Sequence, residues 1–315
     1  IFIMNHYPSN VKEKLNSIIL SMAEHHWLFS KNPGHDFTRQ HLGKLSFYDT
    51  MRLIISMGKG STNDEIMDYF DLDPDLIPSQ SAFCQRRRQI SLSAFEYLFS
   101  EFSSSFPSTT DKFKDHCILA CDGCHVVYAT NSDIIEDYNK PRLIDYKGYN
   151  HMHLNGFVDV ISKAFLDVVI QPGQQPDERE ALHSMLDHFT PDGPQKYIIT
   201  ADRGYESYDL LFHCELKNLG YVFRVKSPSS PKSILSYYAS ELPDDLEEFD
   251  VTIKRFFTDK ATNIMKSQSD VYRYINPSKN TPHFYELLRK NHSHLYFLQF
   301  RVVKIKTAGI SKTGN

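Results

Sequence analysis

Two apolar runs, each followed by an aspartate and a glycine, decide the fold class of this chain. The first is Cys117-Ile118-Leu119-Ala120-Cys121-Asp122-Gly123, and the second is Tyr197-Ile198-Ile199-Thr200-Ala201-Asp202-Arg203-Gly204-Tyr205. Short runs of β-prone apolar residues predict buried strands, and a carboxylate in or beside such a strand carries a desolvation cost. We therefore expect a partner that offsets this cost close to each aspartate.

The residues between and after the two aspartates predict a mixed α/β sheet. Hairpin, helix-start and helix-stop signals divide them into seven elements. These are strand 117–123, strand 153–160, strand 164–170, helix 177–189, strand 197–201, helix 208–219 closed by Gly220, and strand 221–225. Because a helix that joins neighbouring short strands implies a parallel pair, the helices should pack on a sheet of mixed direction.

This order of elements resembles the ribonuclease-H-like fold of the DDE transposases. The motifs Ala120-Cys121-Asp122-Gly123 and Ala201-Asp202-Arg203-Gly204-Tyr205, followed by Phe212, are similar to those of insertion-sequence transposases of the family numbered four. The resemblance extends over roughly residues 30–315. It implies an enzyme that binds the inverted-repeat ends of a mobile element as a homodimer, cuts one strand with a metal-activated water, and joins the freed 3′ hydroxyl to a second phosphodiester in target or complementary DNA.

Asp122 and Asp202 are the expected catalytic and metal-binding residues. Phosphodiester cleavage needs charge neutralisation and an activated oxygen, which Mg²⁺ or Mn²⁺ held by a few carboxylates can supply. Such ions would also offset the cost of placing the two acids at strand ends. The alternative is that Asp122 caps a strand and that Asp202 starts a turn with Gly204.

The third acid of the resembled family lies on a helix, in the pattern Tyr, two residues, Arg, three residues, Glu, six residues, Lys. Residues 227–315 contain no such spacing, and Tyr285-Glu286-Leu287-Leu288-Arg289 has the wrong order. From this, and from the start at Ile1 without methionine, we expect an incomplete copy that binds metal weakly and lacks strand transfer. The alternatives are a non-catalytic DNA-binding protein derived from a transposase, acting through residues 46–105, and a ribonuclease-H-like nuclease.

Three domains are predicted along the chain. They are a helical DNA-binding domain at 1–110, a catalytic core at 111–226 and a β-rich insertion at 227–315. In the first domain, Ser46 and Ser79 are predicted helix caps, and Thr62 to Glu65 is predicted to form a capping box. A Ser/Pro/Thr-rich linker is expected at 103–110.

Basic residues on the helix after Ser79 are the predicted DNA contacts of the first domain. Two short helices joined by a Pro-containing turn could form a helix-turn-helix, and a solvated helical face is the alternative. Because three adjacent residues span almost a full helical turn, they cannot all face one groove. The residues assigned to DNA contact are Arg86, Arg87, Arg88, Arg203 and Lys226.

The mean charge hides a basic C-terminal segment. The chain carries a net charge of −4, but residues 251–315 contain twelve Lys and Arg against Asp259, Asp270 and Glu286. Residues 251–257, 271–275 and 294–306 are predicted strands of a second, antiparallel sheet. Its basic, aromatic character suits a DNA backbone, and an ordinary one-sided sheet is equally compatible. The acidic cluster at 241–250 is expected to be a solvated loop.

Other features point to a cytoplasmic protein with double-stranded DNA as its partner, without membrane or small-molecule ligand. No apolar run approaches a membrane span, and no secretory pattern opens the chain. Cys121 and Cys124 match half of a zinc site, but buried thiols on a strand are favoured, and His151 and His153 are expected to be edge or hydrogen-bonded histidines. Residues 125–150 are expected to form an exposed excursion.

Overall fold

The computed structural model describes residues 7–38, 44–105, 112–140, 147–191, 195–260, 262–276 and 281–306. The chain divides into two compact units, Ile1–Pro107 and Ser108–Asn315. Residues on both sides of the predicted boundary at 226 belong to the second unit, and the division into three domains stays a prediction. Residues 106–110 of the expected linker lie outside the described residues, whereas residues 103 and 104 are helical.

The described part of the first unit is helical. Its α-helices are α1 Tyr7–Glu24, α2 Phe47–Ser56, α3 Thr62–Tyr69, α4 Gln80–Gln89 and α5 Ser93–Ser104. Ile19, Met22, Phe47, Met51 and Ala94 form the centre of its larger core and are almost fully buried. The helices therefore pack through the apolar stripes that their 3.6-residue period creates.

Two of the three predicted helix starts are confirmed. Ser46 and Asp49 form a capping box at α2, and Ser79 accepts a hydrogen bond from the backbone of Ala82 at α4. The capping box predicted at Thr62 is wrong by one residue, because Ser61 pairs with Asp64 instead. Glu65, the acid expected to pair with Thr62, instead accepts hydrogen bonds from the backbone N–H groups of Gly58 and Gly60.

The connection between α3 and α4 differs from that of a helix-turn-helix. It runs over residues 70–79, whereas a helix-turn-helix joins its helices by about three or four residues. Asp71 and Leu72 in this connection adopt positive φ angles of 50° and 60°. The helix-turn-helix geometry is therefore not supported by this connection.

The first sheet of the second unit is mixed. Its strands are β1 His116–Tyr128, β2 Tyr138–Asn139, β3 Tyr149–Asp159, β4 Phe165–Pro172, β5 Lys196–Ala201 and β6 Gly220–Phe223. The order is β2-β3-β1-β5-β6, and β4 pairs with β3. The β3–β4 hairpin is antiparallel and β5 pairs in parallel with β6, as the sequence predicted, and β5 also pairs in parallel with β1.

Strand β1 is longer than the sequence indicated. It continues past Gly123 to Tyr128, because β3 supplies an antiparallel partner for every residue from Leu119 to Tyr128. Asp122 therefore lies within β1 rather than at its end. The expectation that residues 125–150 form an exposed excursion is wrong at both ends, and Tyr138–Asn139 adds a short strand within it.

Helices α6 Glu178–His188 and α7 Tyr208–Leu216 follow β4 and β5. Asp177 is the N-cap of α6 and accepts hydrogen bonds from the backbone of Arg179 and Glu180. Helix α7 ends earlier than predicted, at Leu216, and Asn218 takes the left-handed conformation with φ 55°. Gly220 begins β6 and does not close the helix.

A second sheet has the order β8-β7-β9, with β7 Phe249–Thr258, β8 Tyr272–Tyr274 and β9 Leu295–Lys304. The three predicted strands are confirmed, but the prediction of an all-antiparallel sheet is wrong. Strand β7 is antiparallel to β9 and parallel to β8. Helix α8 Asn263–Ser267 lies between β7 and β8 in sequence, and α9 Pro282–Lys290 lies between β8 and β9.

Helix α7 contributes to the cores of both sheets. Leu210 and Cys214 pack in the core beneath the first sheet, while Leu211 and Phe212 pack with the second sheet and α9. All four side chains are at most 4% exposed. A helix that is apolar on opposite faces is buried between layers, and α7 thus joins the two sheets.

The acidic cluster at 241–250 is not simply solvated, because its carboxylates pair with basic residues of the second sheet. Glu241 pairs with Arg255 and Asp250 pairs with Arg301. Asp244 Oδ1 lies 3.4 Å from Lys304 Nζ, and Glu247 Oε2 lies 2.7 Å from Lys306 Nζ. Four of the cations assigned to the basic C-terminal segment therefore already face carboxylates.

Candidate active site

The two predicted aspartates occupy equivalent positions on neighbouring parallel strands. Cys121 of β1 and Ala201 of β5 are the last register partners of this pair, and both are buried. Asp122 and Asp202 are the next residues, and both are exposed. Beyond this point β5 ends while β1 continues, so the aspartates lie where the sheet opens. Crevices outside the carboxyl ends of parallel strands are common ligand sites.

Each aspartate accepts a hydrogen bond from a glycine one or two residues later in the chain. Asp122 Oδ1 accepts a hydrogen bond from the Gly123 backbone N–H at 2.9 Å, and Asp202 Oδ1 accepts one from Gly204 at 2.6 Å. One oxygen of each carboxylate thus has a local donor. These contacts agree with the turn role considered as an alternative, and they leave the second oxygen of each group for a ligand.

Glu178 is a third carboxylate at this edge. It is the first residue of α6, at the positive end of the helix dipole. A Cβ on Gly123 would lie 3.0 Å from Glu178 Oε1, and one on Gly204 would lie 2.8 Å from Glu178 Oε2 and 3.0 Å from Asp202 Oδ1. The Glu178 carboxylate therefore lies beside both Gly123 within β1 and Gly204 after β5, and only glycines leave room for it.

Two buried polar side chains of β3 point to the same place. His153 is 3% exposed and Asn155 is fully buried. A Cβ on Gly123 would overlap His153 Nε2 and lie 3.0 Å from Asn155 Oδ1. Within the described residues, neither atom has a hydrogen-bond partner, although His153 Nε2 lies 3.3 Å from Glu178 Oε1. Buried polar atoms without partners are costly, so this cradle is suited to a polar ligand.

Cys121 and Tyr205 lie below the carboxylates and are uncharged. Burial, together with the negative charges of Asp122 and Glu178, raises the pKa of the Cys121 thiol to about 12. Burial likewise raises the pKa of Tyr205, with the neighbouring Cys121 and Glu178 adding to it. Cys121 is therefore a neutral thiol at physiological pH and is unsuited to act as a thiolate nucleophile.

The two basic residues predicted beside this edge differ in their surroundings. Arg203 is exposed directly after Asp202. Lys226 is partly buried, with Nζ 2.9 Å from Glu206 Oε1, and its backbone N–H donates to Glu206 Oε2 at 2.7 Å. Glu206 is only 4% exposed. Lys226 thus neutralises a buried acid that the sequence analysis did not identify.

The three arginines of α4 are not equivalent, as their helical spacing predicted. Arg87 and Arg88 are exposed. Arg86 is partly buried, with its guanidinium 5.2 Å from the centre of the Phe37 ring and its Nη1 3.1 Å from Gln89 Oε1. Arg86 therefore has a packing role within the first unit, which is separate from any contact with DNA.

The structure does not bring the Cys121 and Cys124 thiols to one face. Cys121 is buried and Cys124 is exposed, as expected for strand positions an odd number apart. Cys117 and Cys214 are also buried. His151 contacts Asn139 through Nδ1, in line with the hydrogen-bonded role expected for it.

Comparison with known families agrees with this geometry. The family model described as transposase DDE domain matches residues 113–294, which is more than half of the chain. The chain belongs to the transposase DDE domain family. Transposases of this family bind DNA, and their DDE domains generally use divalent metal ions. A comparison with curated proteins found no match. None of the described helices is long and apolar enough to cross a membrane.

The sequence analysis of this DDE domain missed Glu178, Asn155 and the role of His153. Glu178 lies in the first turn of the predicted helix 177–189, where an acid is common and has its own electrostatic explanation. Its position between two glycines depends on how α6 packs on the sheet. His153 and Asn155 are two residues apart on β3 and therefore share one face of the strand. That this face lies opposite Gly123 depends on the register between β1 and β3.

Proposed function

We propose that this chain is the catalytic part of an insertion-sequence transposase of the family numbered four, with a ribonuclease-H-like core that cleaves and joins DNA strands. The observation that carries this proposal is the placement of Asp122 and Asp202 directly after the buried pair Cys121 and Ala201 on adjacent parallel strands. The strand order β3-β1-β5-β6 with α6 and α7 following β4 and β5 supports the same conclusion.

The residues at this edge fit a hard divalent cation. Asp122, Asp202 and Glu178 supply carboxylate oxygens, and Asn155 supplies a buried amide oxygen without a partner in the described part of the chain. Oxygen-rich sets of this kind suit Mg²⁺ and Mn²⁺. When bound, such an ion polarises a phosphate oxygen and lowers the pKa of a bound water.

The side chains would have to rearrange to share one ion. The ligand atoms of Asp122, Asp202 and Glu178 do not form a group within 4.8 Å of one another among the described residues. Like charges repel at short distance, and Asp122 and Asp202 each direct one oxygen to a glycine N–H. Asp202 and Glu178 both lie beside Gly204, whereas Asp122 alternates with Cys121 and Gly123 along β1 and would have to turn from the other face of the strand to share an ion with them.

The remaining residues have positioning roles in this proposal. His153 Nε2, 3.3 Å from Glu178 Oε1, would donate to this carboxylate and position it beside Gly123, and Arg203 is an exposed cation placed to contact a phosphate beside Asp202. Arg87 and Arg88 of the first unit contact the backbone of the inverted-repeat DNA. Glu178 supplies the third carboxylate that the sequence analysis sought in residues 227–315.

Nicking of supercoiled plasmid DNA in Mg²⁺ or Mn²⁺ tests the proposal. Asp202→Asn should lower the nicking rate at least about a hundredfold, because loss of a metal ligand removes several kcal/mol of transition-state stabilisation. DNA affinity measured without metal should stay within about twofold. The matched control is Asp270→Asn, an exposed aspartate in the connection before β8, which should nick normally.

Two outcomes would overturn the enzymatic proposal. The first is an Asp202→Asn variant that nicks as fast as the unaltered chain. The second is an unaltered chain that binds plasmid but does not nick it with either metal, which would favour the non-catalytic DNA-binding alternative. In the same assay Glu178→Gln should weaken Mn²⁺ binding by about tenfold or more, while Glu180→Gln on the same helix should not.

A further inference from the structure

A cluster of three histidines lies away from the carboxylate edge, where three helices meet. His183 is on α6, His213 on α7 and His283 on α9. Within the part of the chain that the structure describes, they are the one group of three or more candidate metal-binding side chains whose ligand atoms lie within 4.8 Å of one another. The proposed transposase function does not use them.

Two of the three imidazole rings are uncharged at neutral pH. Burial, together with the neighbouring His283, lowers the pKa of His183 to about 4. Burial, together with His283 and His183, lowers the pKa of His213 to about 2. The rings stack with centroids 3.9 to 5.2 Å apart. A neutral imidazole has one nitrogen with a free electron pair, which is the form that binds metal ions.

Carboxylates outside the cluster fix the orientation of two of these rings. His283 Nδ1 lies 2.7 Å from Asp209 Oδ2, and His213 Nε2 lies 3.2 Å from Asp187 Oδ1. Since a carboxylate accepts the proton of the nitrogen that faces it, the opposite nitrogen of each ring carries the electron pair. In His213 this nitrogen is Nδ1, which lies 2.9 Å from His183 Nδ1 and accepts its proton until a metal ion replaces that contact. Metal-binding histidines commonly donate their second N–H to a carboxylate in this manner.

Asp209 is itself held in place. It is 2% exposed, and its Oδ1 accepts hydrogen bonds from the backbone N–H groups of His283 at 3.1 Å and Phe284 at 3.2 Å. A carboxylate of α7 thus caps α9. His183 Nε2 lies 3.6 Å from Asp209 Oδ2, so this oxygen lies between two of the histidines.

A metal ion can reach the cluster from solvent. An open cleft of about 500 Å³ is lined by His183, His283, Asp187, Asp209 and Ser207, among others. His183 and His283 expose 12% and 14% of their side chains. The site therefore combines a buried set of ligands with an entry path.

We propose that His183, His213 and His283 bind a transition-metal ion of the Zn²⁺ class, with Asp209 and Asp187 orienting the rings and the fourth position open to a water molecule. Three imidazole nitrogens form a donor set that suits Zn²⁺ and its spectroscopic substitute Co²⁺. The bound ion links three helices, α6, α7 and α9, through one histidine from each. Because a metal lies in the plane of each imidazole that binds it, the stacked rings turn about χ2, a torsion with broad minima.

Titration of the full chain with Co²⁺ tests this site. Tetrahedral Co²⁺ gives visible absorption bands, and we expect them to saturate at one ion per chain and to disappear when Zn²⁺ is added. His283→Gln and His183→Gln should each weaken Co²⁺ binding at least about tenfold. The matched control is His188→Gln, an exposed histidine on α6 that pairs with Asp167, and it should bind Co²⁺ normally.

Two results would overturn the site. One is the absence of tetrahedral bands in the unaltered chain. The other is a set of bands that persists in both histidine variants, with far-UV circular dichroism showing that they are folded. Asp202→Asn should leave the bands unchanged, so this readout is independent of the proposed catalytic edge. If the bands disappear in Asp202→Asn instead, the ion binds at the carboxylates and the histidine cluster is only a packed stack.

Discussion

Replacing Lys226 by methionine tests the interaction that anchors the segment after β6. Lys226 Nζ lies 2.9 Å from Glu206 Oε1, and the Glu206 side chain is only 2% exposed. Methionine keeps an unbranched apolar stem but has no charge. The substitution therefore leaves the carboxylate of Glu206 buried without its cation.

The structure sets the size of the expected effect. Removing one partner of a buried ion pair costs about 3–5 kcal/mol of unfolding free energy. The Lys226 side chain is 35% exposed, and its backbone N–H still donates to Glu206 Oε2 at 2.7 Å in the variant. Both facts reduce the effect, so we expect a loss of about 2 kcal/mol. Adding Glu206→Gln should restore at least about half of it, because the buried charge is gone.

The measurement must follow the second unit alone. Trp27 is the single tryptophan and lies in the first unit, so its fluorescence follows the wrong region. Urea unfolding with pulsed hydrogen exchange and mass spectrometry on peptides from residues 196–226 gives the required free energy. Lys196→Met, at an exposed lysine that begins β5, is the control and should change stability by less than about 0.5 kcal/mol.

The reasoning is refuted if Lys226→Met is no more destabilising than Lys196→Met, or if the double variant is no more stable than Lys226→Met alone. In either case Glu206 does not depend on the lysine. Lys226 would then be free for the DNA contact that the sequence analysis assigned to it.

Two further predictions concern the sites themselves. Gly123→Ala should abolish metal-dependent nicking while DNA binding persists, because its Cβ would overlap His153 Nε2, whereas Gly34→Ala, with no atom within 4 Å of its Cβ, should nick normally. With EDTA present, the unfolding free energy should be constant above about pH 7. Below about pH 6.5 it should fall with decreasing pH, by up to about 1.4 kcal/mol per pH unit for each of the two histidines. In this pH range the two histidines bind protons in the unfolded chain. In the folded chain they stay uncharged, because burial lowers the pKa of His183, to about 4, and that of His213. Urea midpoints at several pH values measure this slope, and a His183→Gln variant with the same slope would contradict the assignment.

The sequence predicted the topology around the two aspartates because local patterns determine it. Each predicted strand has its own apolar run, and the apolar residues of α6 and of α7 have helical spacing. The hairpin at residues 161–163 and the parallel pairing of β5 with β6 follow from the lengths and types of their connections. These are properties that a single stretch of chain carries.

The length of β1 could not be predicted from its own residues. After Cys121 the strand is polar and largely exposed, without the alternation that marks a half-buried strand. Its extension to Tyr128 depends on β3 as a partner. The parallel direction of β8 is similar, because three residues with few contacts carry no signal of direction.

Tertiary packing also explains the residues that the sequence analysis missed. Glu178 lies 23 or more positions after His153 and Asn155 in the sequence. Only the packing of α6 on β1 and β3 makes them neighbours. The histidines at 183, 213 and 283 are likewise spread over three helices. Ligand spacing within one segment, which reveals short zinc motifs, is absent from both sets.

The pairing between the loop at 241–250 and the second sheet changes how this sheet can interact with a polyanion. Arg255, Arg301, Lys304 and Lys306 each face a carboxylate that belongs to the same chain. An intramolecular partner acts at a high effective concentration, even when each exposed pair contributes little free energy. A nucleic-acid backbone that approaches these four cations is therefore a competitor of a tethered acidic segment, and affinity there depends on how readily that segment is displaced.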